Sequence, residues 1–262
     1  MNTRKSSDTE TLSGIHPVAE ALSAGRRKIY RIYINRNNPA KRVSKIAELA
    51  RRKDIPVSAV SREEIRKMTD NIHHQDIAAS TNKFPISDLG SICAPGDQNG
   101  SGAFLLILDS ITDPQNLGAL VRTAVCTGVS GIIIPRDRSA APTPAVSRAS
   151  AGALEHARIA TATNLVNSMK DLKKNHFWTI GLDQKGDLPV YETDMTGARA
   201  LVLGGEDTGI RPLVKRQCDF LCRIPQSGPV DSLNASVAGG IAMYEAMRQR
   251  MQKEATKEKG SG

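Results

Sequence analysis

Leu201-Val202-Leu203-Gly204-Gly205-Glu206-Asp207-Thr208-Gly209 is a short apolar run that breaks into two glycines and then an acid. The run reads as a buried strand and the glycines as a tight turn at its end. Glycine at 204 and 205 removes side chains where a ligand or a second backbone must come close. Glu206 then stands at the mouth of a strand, where open α/β sheets bind their ligands. Taken alone, the segment also describes an ordinary strand–turn–helix corner. Its weight comes from the chain around it.

Working outward, Phe104 to Leu108 is a continuous apolar run, the pattern of a strand covered on both faces. Asn116 to Thr127 follows as a helix with its core face at Leu117, Leu120, Val121, Ala124 and Val125, and Gly128 closes it. Strands are expected at Gly131–Ile134, Phe177–Gly181, Arg199–Leu203 and Phe220–Ile224. Helices are expected at Leu165–Lys174 and Pro212–Gln217, with a long last helix from about Leu233 to Gln252. This alternation predicts an α/β domain over residues 103–252, with a mostly parallel sheet and helices on both faces.

The first third is built differently. Residues 1–11 are polar and read as a flexible tail. Residues 12–84 predict a small α/β module, with a helix ending at Gly25, strands at Ile29–Ile34, Val57–Val60 and Ile77–Thr81, and a basic helix at Arg42–Lys53. Ser61-Arg62-Glu63-Glu64 has the form of a capping box. Residues 85–102, rich in Pro, Gly, Asn and Ser, read as a linker. The charged stretch 253–262 reads as a second tail.

Charge separates the two parts. Of the net +9, nearly all lies before residue 86, with 17 Lys+Arg against 9 Asp+Glu up to Pro85 and 19 against 18 after it. A basic module joined to a near-neutral one points to a phosphate-rich partner; the alternative is a solvated basic face. With only 3% aromatic residues, extensive base stacking is not expected. No run approaches the ~18 apolar residues of a membrane span, and the polar N-terminus is not a signal peptide. The four cysteines show no CxxC spacing and the five histidines no ligand spacing, so neither a disulfide framework nor a metal site is expected. A cytoplasmic protein follows.

Three polar clusters fall at strand ends: Asp113-Pro114-Gln115-Asn116 through Arg122, then Gly204-Gly205-Glu206 with Gly209, then Ile224 to Gly228 followed by Ser232-Leu233-Asn234. Asn116 and Arg122 lie within about two helical turns. Ser232 is a candidate N-cap for the last helix. In this order, DPxNxGxxxR, GGExxG and IPxxGxxxSLNxS resemble the three motifs of the SpoU (TrmH) family of RNA ribose 2′-O-methyltransferases. Gly14 to Leu22 and His73-His74-Gln75-Asp76-Ile77-Ala78 resemble the L30e-like substrate-binding domain that some members carry.

The resemblance implies a trefoil-knotted SPOUT domain, S-adenosylmethionine as cofactor, an RNA substrate and a homodimer, with no membrane or DNA partner. It implies that Gly204, Gly205, Ile224 and Leu233 hold the cofactor, and that Asn116, Arg122, Glu206, Ser232 and Asn234 form the active site. Guanosine in 23S rRNA is the implied target, with transfer RNA or a 23S adenosine as alternatives. Family proposals make the Arg122 position the base; a neutral guanidine is scarce, which argues for anchoring a phosphate or an alkoxide instead, with Glu206 orienting the guanidinium. Asp76 departs from a usual glycine, Gln226 from a usual methionine and Ala235 from a usual valine. A non-catalytic ribosome-assembly factor is a rival reading. A Rossmann oxidoreductase is disfavoured because no GxGxxG follows a strand.

Overall fold

The computed structural model describes residues 8–37, 40–70, 73–93, 102–206, 208–229 and 232–260. They form two compact units, one of residues 1–85 and 142–156, the other of residues 86–141 and 157–262.

The first unit runs β1 (Thr9–Ser13), α1 (Ile15–Ala24), β2 (Ile29–Asn35), α2 (Lys41–Arg52), β3 (Val57–Val60), α3 (Arg62–Met68) and β4 (Ile77–Asn82). Its sheet has the order β1-β4-β2-β3. Thr9–Thr11, expected in a tail, belong to β1, because each pairs antiparallel with β4, from Thr9 opposite Asn82 to Ser13 opposite Ala78. Val18, Leu22, Ile32, Val43, Ile46 and Ala47 bury the faces of α1, β2 and α2 against one another. Gly25 ends α1 in the left-handed conformation, φ 64°. The capping box at Ser61 and Glu64 is present in full.

The second unit begins with α4 (Leu89–Cys93), β5 (Phe104–Asp109), α5 (Pro114–Cys126) and β6 (Gly131–Pro135). The segment read as a linker is therefore ordered up to Cys93, because Ile92 is 2% exposed and joins the core. Its Pro95, Gly96, Asn99, Gly100 and Ser101 lie outside the described residues. The chain then returns to the first unit for α6 (Pro144–Ala149) and a 3-10 turn (Ala153–His156). Glu155, 1% exposed, meets the Arg27 guanidinium at 2.8 Å and accepts from Ser147 Oγ at 2.7 Å. Arg27 also stacks 5.3 Å from the Phe84 ring centre. This buried pair, with His156 on Glu20 and Arg148 on Ser13, ties residues 142–156 to the first unit rather than to the domain in which their sequence position places them.

The chain re-enters the second unit through β7 (Ile159–Ala162), α7 (Leu165–Lys174), β8 (Trp178–Leu182), β9 (Leu188–Pro189), β10 (Arg199–Gly204), α8 (Pro212–Lys215), β11 (Phe220–Arg223) and α9 (Ala235–Gly260). The seven strands are in the order β7-β6-β5-β10-β8-β11-β9. Every pairing is parallel. β10, the opening stretch of the sequence, inserts between β5 and β8. All of β5 is buried. Leu105, Ile107, Ala200 and Val202 face α7 and α8. On the opposite face, α9 approaches so closely that a methyl on Gly239 would lie 2.5 Å from Leu120 and 2.6 Å from Leu203. Each Leu or Ile so buried contributes about 1.5–3 kcal/mol. The expected tail from Lys253 is instead the last turns of α9, which runs to Gly260.

Candidate active site

Because the sheet is parallel, β8, β10 and β11 end at one edge, and a cavity of about 510 Å³ opens there. That volume falls in the ~300–1,000 Å³ range of small-molecule and cofactor sites. Its apolar wall is Leu182, Leu203, Ile210, Ile224, Leu233 and Ala238. Its polar wall is Asp183, Gln184, Lys185, Glu206, Thr208 and Ser232. Gly204, Gly205, Ile224 and Leu233 thus all line the cavity. The glycines are required by close approach. A Cβ on Gly204 would fall 1.9 Å from the Gly209 carbonyl carbon, and one on Gly205 would fall 2.6 Å from Ser110 O. The turn folds back on itself through Gly209 N, which donates to Gly205 O at 2.9 Å.

Beside the cavity, Asn116, Glu206 and Asn234 meet. Asn234 Nδ2 donates to Asn116 Oδ1 at 3.0 Å and to Glu206 Oε1. Asn234 Oδ1 accepts from Ser236 N at 2.9 Å, Ser236 Oγ at 2.5 Å and Val237 N at 3.3 Å. Asn234 is therefore the N-cap of α9, the role expected of Ser232, and capping fixes which way its amide points. Ser232 lies two residues earlier, in the cavity wall. Asn116 lies in the first turn of α5, whose first N–H groups are capped by Asp113, which accepts from Gln115 N at 3.1 Å and Asn116 N at 3.2 Å.

Arg122 makes no bond to this cluster. It is exposed and makes no hydrogen bond or ion pair among the described residues, so Glu206 does not orient it. Six residues of helix separate the Asn116 and Arg122 side chains by about 120° around the axis and ~9 Å along it.

Two further pairs were not anticipated from the sequence. Asp109, fully buried at the end of β5, accepts from Arg211 N at 2.9 Å and Arg211 Nε at 2.7 Å. This clamps the far end of the 204–210 turn to β5. An acid ending a wholly apolar strand was the available signal. Lys215 meets Asp183 at 2.8 Å in the cavity wall. Burial raises the Asp183 carboxyl, but the bonds from Lys215 and the Lys185 backbone outweigh it and hold it below its ordinary range.

In the first unit, the two stretches singled out in the sequence also meet. Gln75 Oε1 accepts from Ile15 N at 2.9 Å, and Gly14 N donates to Ile77 O at 3.2 Å. His74 is buried and its Nδ1 accepts from Asp76 N at 3.0 Å, a structural role. Asp76 has φ 62°, a conformation that suits the glycine usual at this position in the resembled family. Its carboxylate lies 3.4 Å from Arg62 Nε.

A cavity of cofactor size at the carboxyl edge of a parallel sheet, flanked by an amide–carboxylate–amide cluster, is the candidate site on this α/β scaffold. Comparison with known proteins places it. Residues 103–244 match the SpoU rRNA Methylase family, and residues 11–87 match the RNA 2'-O ribose methyltransferase substrate binding domain. The chain is 38% identical over 244 residues to the 23S rRNA (guanosine-2'-O-)-methyltransferase RlmB of Acinetobacter baylyi, covering 91% of this chain and 96% of that protein. It is 37% identical to the protein of the same name from Coxiella burnetii, covering 93% and 97%. Among solved structures, the AdoMet-bound rRNA methyltransferase of Sinorhizobium meliloti superposes with a TM-score of 0.75 at 26% identity, over 92% of this chain and 87% of that one. The SpoU methyltransferase AviRb of Streptomyces viridochromogenes shares the fold, with a TM-score of 0.78, 24% identity, and 92% and 90% coverage. The chain belongs to the SpoU rRNA methylase family.

Proposed function

We propose that this protein transfers a methyl group from S-adenosylmethionine to a ribose 2′-oxygen of RNA, with a guanosine of 23S rRNA as the target. The observation that carries the reading is the meeting of Asn116, Glu206 and Asn234, 118 positions apart at the extremes, beside a cavity of cofactor size. The cavity fits that cofactor. Leu203, Ile210, Ile224 and Leu233 offer an apolar slot for the adenine, and the glycine turn lets backbone groups approach it. Asp183, Gln184 and Lys185 offer partners for the ribose diol and the amino-acid end. When bound, the cofactor supplies an electrophilic methyl on a sulfonium.

The polar cluster suits the acceptor. With Oδ1 of Asn116 and Oε1 of Glu206 both taken by Asn234, Asn116 Nδ2 and Glu206 Oε2 remain without a partner among the described residues. One donor and one acceptor side by side match a hydroxyl, which accepts from the amide and donates to the carboxylate. That fixes a lone pair of the 2′-oxygen and gives its proton a destination as the oxygen attacks. Arg122, whose guanidinium has no partner among the described residues, takes a phosphate of the RNA.

The basic first unit is the grip on RNA, and the protein works in the cytoplasm. Among the described residues no helix is long and apolar enough to cross a membrane. A homodimer is part of this reading. Val237, Tyr244 and Met251 are each more than half exposed and recur every seven residues of α9, giving one helix face an apolar stripe for a second copy to cover.

The test is incubation of the protein with methyl-labelled S-adenosylmethionine and ribosomal RNA from a strain lacking the enzyme, followed by mass-spectrometric mapping. A 2′-O-methylguanosine in 23S rRNA is the expected product. Absence of any 2′-O-methyl product on ribosomal or transfer RNA ends the proposal. Light scattering at two ionic strengths tests the dimer, and Tyr244→Glu is expected to give monomers.

A further inference from the structure

We propose that Arg136 and Arg138 form a phosphate clamp on the catalytic unit itself, holding the RNA strand as it enters the site. This rests on the reading of the chain as an RNA methyltransferase. Both arginines lie in the turn that follows β6. That turn is pinned on both sides. Arg136 N donates to Ala162 O at 2.9 Å, and Ala140 N and Ser139 Oγ donate to Ile111 O at 2.8 and 3.2 Å. Ile111 sits two residues before Asp113, the cap of the helix that carries Asn116. On its other flank the same β5 turn abuts the glycine turn, through Ser110 O and Gly205. Three turns therefore stand in a row along one sheet edge, in the order of strands β6, β5 and β10. Adjacent strands are ~4.8 Å apart, so the arginine turn lies within about 10 Å of the turn that bears Glu206.

The side chains are left for a ligand. Both are exposed and neither makes a hydrogen bond or an ion pair among the described residues. Asp137, between them, is exposed and pairs with neither. Three other arginines of this unit are engaged: Arg199 with Asp194, Arg211 with Asp109, and Arg223 with the Gly186 and Asp187 carbonyls. Arg138 also holds φ 59°, a left-handed conformation that a non-glycine residue rarely adopts. Two unpartnered guanidinium forks on a rigid turn fit a phosphodiester, whose paired oxygens accept both N–H groups of one fork. Since residues after Pro85 carry 19 positive against 18 negative charges, diffuse attraction is small on this side and fixed arginines must supply the hold.

The experiment uses the full chain with unmodified 23S rRNA transcript as probe. It compares wild type, the double variant Arg136→Gln/Arg138→Gln and the double variant Arg136→Lys/Arg138→Lys. The glutamine pair is expected to raise KM for RNA at least tenfold and to lower the slope of log affinity against log salt by roughly 1.5 to 2. It should leave kcat at saturating RNA and the calorimetric affinity for S-adenosylmethionine unchanged. The lysine pair should restore the salt slope but only part of KM. An active glutamine pair with wild-type KM and slope overturns the clamp, as does a loss confined to kcat. A wild-type protein that methylates no RNA instead overturns the reading on which the clamp rests.

Discussion

Asn234 donates to Asn116 across 3.0 Å while its own oxygen caps α9, so one side chain both starts the last helix and joins two distant loops. The two duties can be separated. Asn234→Asp keeps the capping oxygen but replaces the amide donor with a second carboxylate beside Glu206. Its thermal stability should stay near wild type while kcat falls at least a hundredfold. Asn234→Ala should lose both, with about 1 kcal/mol of stability going with the cap. Denaturant melts alongside single-turnover methyl transfer check this.

Arg122 contributes to no internal network among the described residues, so its removal should be silent in folding. Arg122→Ala is expected to change stability by less than about 0.5 kcal/mol and to cut methyl transfer by ~10²-fold or more. Equal losses in stability and activity would assign it a structural role. A protein acting only as an assembly factor would keep its biological effect after this substitution.

The buried Asp109 carboxylate should act on the cofactor site from a distance. Asp109→Ala strands the Arg211 backbone N–H at a cost of about 1–3 kcal/mol and frees the far end of the glycine turn. Calorimetry should then show weaker S-adenosylmethionine binding, with Asp109→Asn in between. Unchanged cofactor affinity in a folded Asp109→Ala variant would refute the link.

Gly204→Ala tests the turn directly. The added methyl would sit 1.9 Å from the Gly209 carbonyl carbon, so the backbone has to move. Cofactor affinity is expected to drop more than tenfold, while circular dichroism keeps its helical signal.

A pH dependence follows from His74. Burial is the largest cause of its depressed pKa, offset in part by Asp76 and reinforced by Arg62, His73 and Arg66. The unfolded chain, near 6.5, therefore binds a proton more readily than the folded one. This contribution to stability is full above about pH 6.5 and shrinks as pH falls toward the folded pKa. His74→Gln should flatten that part of the stability–pH curve, measured by denaturant melts between pH 7.5 and 5.

The return of residues 142–156 to the first unit changes what a truncation can show. A chain starting near Phe84 would keep residues 142–156 but lose β1, α1 and Arg27, the elements and the partner they pack and pair with, so Glu155 and the buried side chains of α6 would be exposed to water. RNA binding by the basic unit is better probed by surface substitutions than by deletion.

Much of this protein was legible in its residue order, because local rules decide those features. β10 and β5 were readable from uninterrupted apolar runs, the capping box from Ser61 and Glu64, and the three polar clusters from their positions at strand ends. The charge contrast between the halves needed only counting. What tertiary structure alone decided involves partners far apart in the chain. Thr9–Thr11 are a strand because β4 offers its hydrogen bonds, and residues 142–156 leave their domain because their partners Ser13, Glu20 and Arg27 lie more than a hundred positions away in the chain. Asn234 rather than Ser232 caps α9, since the cap is the residue whose oxygen actually reaches the first free N–H groups. Arg122 and Glu206 make no bond to each other, and Arg122 is turned about 120° from Asn116 around α5, because helical pitch, not motif spacing, sets which way each side chain faces.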